Sequence, residues 1–172
     1  MIQLIRCTQK LQKEMGLKKS ELSTANADNS RLGEWYANLI YIERRKCVVF
    51  VNKKTLFNFI VPNVKRYQIE KLGELFLSFF VNTVLFGMKL DFITLEILDE
   101  YEKVWYAKTG DKSLLGSMND IIWNYKYHIS EEGGLFQCDL LGIIQRLNKM
   151  PFSTLQWKYP IDALKSVYNI KP

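Results

Sequence analysis

The chain has 172 residues, of which 48% are hydrophobic and 13% aromatic. That is enough for one domain with its own core, and too apolar for a disordered segment. The net charge is +6 and uneven: residues 1–66 carry 13 Lys and Arg against 5 Asp and Glu, residues 67–106 carry 3 against 7, and the rest 8 against 6. Three widely spaced cysteines, Cys7, Cys47 and Cys138, without a CxxC pair, speak against a disulfide framework and a zinc ribbon.

In chain order, Ile2–Cys7 reads as a short strand. Thr8 is placed to cap a helix running to Met15, and Gly16 to close it. Residues 17–32 are polar and read as a loop. Trp35–Ile42, residues 47–52 and residues 56–61 are rich in aromatic and β-branched side chains, with short charged separators, and predict an antiparallel meander that Pro62 ends. Residues 68–86 carry Ile69, Leu72, Phe76, Phe79 and Phe80 at helical spacing, with Gly87 after them. Asp91 is placed to cap a helix to about Tyr101, and residues 104–109 read as a further strand. A helix opening at Gly116 or Ser117 buries Met118, Ile121, Ile122, Tyr125 and Ile129. After Gly133-Gly134, two helices are expected, over 139–150 and 161–169. The expected architecture is a single α+β domain over residues 1–172, an antiparallel sheet of four or five strands with helices packed on one face. Its core should include Phe76, Phe79, Ile121 and Tyr125.

The N-terminus lacks the charged start and long apolar stretch of a signal peptide. The greasiest window, residues 75–88, is shorter than the ~20 residues a bilayer requires. A cytoplasmic protein without membrane contact follows as the expectation.

The single histidine, His128, falls near a helix end, where a cation complements the helix dipole. With no second His, triad and zinc-hydrolase chemistry lack their usual residues. No metal site and no cofactor are expected. The polar run 107–120 concentrates Lys108, Lys112, Ser113, Ser117, Asn119 and Asp120 between apolar segments. It lacks the order of a phosphate loop, yet two lysines beside a helix N-terminus suit an anion. On the strand 35–39, Tyr36 and Asn38 share a face and can stack on and hydrogen-bond a ring. Arg44, Arg45, Lys46, Lys53 and Lys54 fall at hairpin turns, where they can touch phosphates or deter edge aggregation.

RCTQK (6–10), GEWYANL (33–39), RKCVVFVN (45–52), TLF (55–57) and the run from Lys108-Thr109 to SLLGSMND (113–120) together resemble a bacterial domain family of unknown function. The resemblance spans nearly the whole chain and implies that 108–120 is a family signature; it implies no activity, ligand or catalytic residue.

Two functions remain in view. One is a non-catalytic module binding nucleic acid or a partner protein, using the basic N-terminal third. The other is a small histidine-independent enzyme on a phosphorylated or nucleotide substrate, with Lys108 or Lys112 stabilising an anion and Asp120 as base. Convergence of Arg6, Asn38, Asn52, Lys108, Ser113, Asn119 and Asp120 in one pocket favours the enzyme.

Overall fold

The structure, a computed structural model, describes residues 2–24, 30–101 and 103–170. The expected loop therefore lies partly outside the described residues. Five strands form one sheet: β1 (Ile2–Cys7), β2 (Trp35–Ile42), β3 (Arg45–Asn52), β4 (Asn58–Val61) and β5 (Lys103–Lys108), in the order β4-β3-β2-β1-β5. The described helices are α1 (Gln9–Met15), α2 (Arg66–Ile69), α3 (Leu72–Phe79), α4 (Thr94–Glu100), α5 (Lys112–Glu131), α6 (Leu140–Leu147) and α7 (Pro160–Val167). The fold is α+β, as expected.

β2, β3 and β4 form the anticipated antiparallel meander. The sheet as a whole is mixed, because β1 pairs parallel to both β2 and β5. The physical reason is the connections: α1 intervenes before β2, and α2, α3 and α4 before β5, so neither strand follows its predecessor through the tight hairpin that makes antiparallel neighbours.

Residues opposite each other share a face. Trp35, Phe50 and Phe59 therefore line one face, and Tyr36, Val49 and Ile60 the other; all six are buried. Helices consequently flank both faces rather than one. On the first face Phe76 of α3 meets Trp35 at 4.9 Å and Phe50 at 5.0 Å between ring centroids, and Phe80 meets Phe59 at 5.3 Å. On the second, the α5 stripe of Leu114, Met118, Ile121, Ile122, Tyr125 and Ile129 is buried, and the Tyr125 hydroxyl donates to Asn58 Oδ1 at 2.8 Å.

β4 is an edge strand, yet the outward backbone groups of its first residue are paired. The Asn148 side chain accepts from Asn58 N–H at 2.9 Å and donates to Asn58 C=O at 2.7 Å, standing in for a missing strand.

Helix boundaries depart from the periodicity in three places. The span 68–86 divides into α2, α3 and a π-helical segment, Phe80–Leu85. A 3₁₀ turn, Asp91–Ile93, precedes α4. α5 opens at Lys112, capped by the Asp111 carboxylate, which accepts from Leu114 N–H at 3.0 Å. Gly116 and Ser117 lie inside the helix, because Leu114 extends the apolar stripe one turn earlier.

Phe76, Ile121 and Tyr125 are buried as expected, whereas Phe79 is only partly covered. Phe76→Ala should lower unfolding free energy by about 3–5 kcal/mol. Phe79→Ala should cost clearly less. Denaturant titration of both variants checks this order.

Candidate functional site

Three depressions adjoin on the surface beside the β3–β4 turn and the start of α5. The first, about 330 Å³, is lined by Arg6, Tyr36, Lys53, Gly110 and Asp111. The second, about 180 Å³, shares Lys53 and Asp111 with it and adds Lys54, Ser113 and Ser117. The third, about 490 Å³, shares Lys54, Thr154 and Leu155 with the second and adds Gln156, Lys158 and Ser166. Together they form one trough carrying Arg6, Lys53, Lys54 and Lys158. A further depression, about 520 Å³, runs elsewhere, past Glu70, Lys71 and Glu74, and no sequence candidate lines it.

At the first end, Arg6 grips Glu34 through two hydrogen bonds of 2.8 Å and donates to Lys108 C=O at 3.0 Å. Lys53 reaches Glu34 at 3.4 Å and Asp111 at 3.9 Å. These charges alternate, so each carboxylate lies against a cation. Hydrogen bonding from Arg6 holds the Glu34 carboxyl below its ordinary value of 4.5, against the opposing effect of burial, and the charges of Arg6 and Lys53 act in the same direction. Tyr36 O–H accepts from Asp111 N–H at 3.3 Å.

Among the sequence candidates, Arg6, Tyr36, Lys53, Lys54, Ser113 and Ser117 come together here. The others do not line the trough. Asn52 is wholly buried: it donates to Leu32 C=O and Glu34 C=O, and its Oδ1 accepts from Lys54 N–H, Thr55 N–H and the Thr55 hydroxyl. Its amide is a turn-forming device with no free edge for a ligand. Asn38 accepts from the Thr8 hydroxyl at 2.9 Å. The Tyr36 ring is only 1% exposed, because α5 covers that face, so it offers no stacking platform. Lys108 and Lys112 are exposed, and of Lys108 the backbone carbonyl is what meets Arg6. Asn119 and Asp120 are exposed on α5 outside the lining, so the proposed base is not where the cations converge. His128 lies in the last turn of α5, edge-on to Tyr127 at 5.3 Å.

The basic hairpins divide. Glu43 and Arg44, both at positive φ, form the two-residue β2–β3 turn. β3 is eight residues long, so at about 3.4 Å per residue this turn and Lys53-Lys54 are more than ~20 Å apart. Arg45 lies over the Phe136 ring, and Lys46 pairs with Glu14 of α1. Arg44, Arg45 and Lys46 thus form no common surface with Lys53 and Lys54.

Lys158, Thr154, Gln156 and Ser166 had no sequence signal. They join a site whose other members lie some forty to a hundred and sixty residues earlier, and no spacing rule links such segments.

A family model for a domain of unknown function, DUF6933, matches residues 4–163. The chain belongs to that family. Of the trough residues named above, only Ser166 falls outside the match. No curated protein matches the chain. Among the described residues, no helix is long and apolar enough to cross a membrane.

Two outcomes follow from the geometry. Asn52→Ala should leave Lys54 and Thr55 N–H groups unpaired and lower stability by at least about 1–3 kcal/mol, measured by denaturant unfolding. A carboxyl with a depressed folded pKa stabilises the fold above its unfolded value and loses that contribution as pH falls through the folded one. The stability difference between the native chain and Glu34→Gln should therefore be present at pH 7 and close as pH drops below 4.5. Thermal melts across pH 3–7 read it directly.

Proposed function

We propose that this protein is a non-catalytic, cytoplasmic binding module for nucleic acid, engaging the phosphodiester backbone along the trough. The observation that carries this reading is the trough's composition: Arg6, Lys53, Lys54 and Lys158 follow one another along it, interleaved with the hydroxyls of Ser113, Ser117, Thr154 and Ser166. Cations and hydroxyls are the groups that contact phosphate oxygens, and such contacts position a strand without reading its sequence. Glu34 and Asp111 temper the field at one end and hold Arg6 and Lys53 in place. The reducing compartment is supported by three free cysteines, of which Cys7 and Cys47 are buried with thiols pushed up by desolvation. An enzymatic reading has less support, since Asp120 stands off the trough.

Binding of an oligonucleotide at low salt should weaken steeply as salt rises, because each neutralised phosphate releases counterions. Charge reversal at Lys53, Lys54 and Lys158 together should weaken it further and flatten the salt dependence. Reversal at Arg44 and Arg45 should leave affinity nearly unchanged, since those residues lie at the other end of β3. Fluorescence anisotropy measures all three. Absence of binding at low salt, or equal losses from both sets of reversals, sinks the reading.

A further inference from the structure

We infer that the trough takes a single strand, and that Trp157, in the loop that lines one end of it, is a platform on which a base stacks. This rests on the nucleic-acid reading above and narrows its ligand.

Trp157 follows Gln156 and precedes Lys158, both of which line the third depression. Its side chain is 70% exposed, among the largest exposures of any aromatic in the described chain. The backbone holds it there at a cost. Gln156 and Trp157 both adopt left-handed φ values, 54° and 64°, a conformation that residues bearing a Cβ seldom take and that this chain also uses at Glu43 and Arg44. Such strain persists only where surrounding structure over-determines it. Here Trp157 N–H donates to Phe152 C=O at 2.9 Å, Gln156 N–H to Ser153 C=O at 2.9 Å and Lys158 N–H to Leu155 C=O at 3.1 Å. Phe152 and Leu155 anchor the loop by packing against the core. The loop thus turns its two apolar anchors inward and leaves the indole exposed.

An indole that is already exposed gives up few internal contacts when a base stacks on it. Base–aromatic stacking is indifferent to sequence, since every base has a π-face. It does require an unpaired base, which a duplex does not present.

The test uses the full chain with three probes: a thymidine oligonucleotide, a duplex of matched charge, and a polyphosphate chain without bases. The expected result is tightest binding to the oligonucleotide. Trp157→Ala should weaken that binding on the order of tenfold, the size of one stacked base. Trp157→Phe should restore part of it, and neither substitution should move polyphosphate affinity or the melting temperature. If polyphosphate and oligonucleotide bind alike and Trp157→Ala changes neither, the stacking inference falls while the trough reading stands. If none of the probes binds, both fall.

Discussion

The buried amide of Asn52 is the constraint on which the trough depends. One side chain at the end of β3 serves the carbonyls of Leu32 and Glu34 and the amides of Lys54 and Thr55 at once. It thereby joins the segment entering β2 to the turn leaving β3. Both cations of that turn, and the carboxylate that meets Arg6, take their positions from it. Without such a partner the turn's N–H groups would be buried unpaired, at a cost that a short surface turn cannot recover elsewhere.

The regular elements were largely legible because their signals are local. Aromatic and β-branched runs marked β2 to β4, and the stripe from Met118 to Ile129 marked α5. What failed was non-local or depended on competition. Gly116 read as a helix start, but a helix tolerates one glycine when Leu114 already has a core to meet and Asp111 supplies a cap. Pairing direction carries no such local signal: β1 lies parallel to β2 and β5, and helices intervene before each of those two strands. Asn52 was counted among ligand contacts because its chemistry is the same whether it serves a ligand or a backbone. The trough was half legible: Lys53 and Lys54 marked a hairpin turn, Ser113 and Ser117 belonged to the polar run, and Arg6 opened the RCTQK motif, while Lys158 and Trp157 lie in a segment with no periodicity.

Charge counted along the chain overstated the basic surface. The N-terminal third holds a large excess of cations, but Arg6 is matched by Glu34, Lys46 by Glu14, and Arg45 lies against an aromatic ring. Field strength at a surface depends on which cations gather within a Debye length of about 8–10 Å, not on their number in a stretch of sequence. The two hairpins of β3 illustrate this, for a single strand carries their charges to opposite ends of the sheet.

The stagger between β1 and β2 explains why Arg6 belongs to this site. The two strands pair over only three positions, Ile5, Arg6 and Cys7 with Trp35, Tyr36 and Ala37. β2 therefore begins partway along β1, and the step below its first residue is filled by Glu34 and the Lys53 turn. Arg6 shares the Tyr36 face and reaches across that step to Glu34. On its other flank β1 pairs with β5 through Arg6 and Ala107, so the chain leaving β5 delivers Asp111 and the start of α5 to the same face. A slip of one residue in β1 would turn Arg6 to the opposite face and Cys7 into its place. The slip is opposed by the apolar side chains themselves, since Ile5 and Cys7 would then leave the core they share with Trp35. The hydrophobic pattern of a six-residue strand thus sets the position of the trough's first cation.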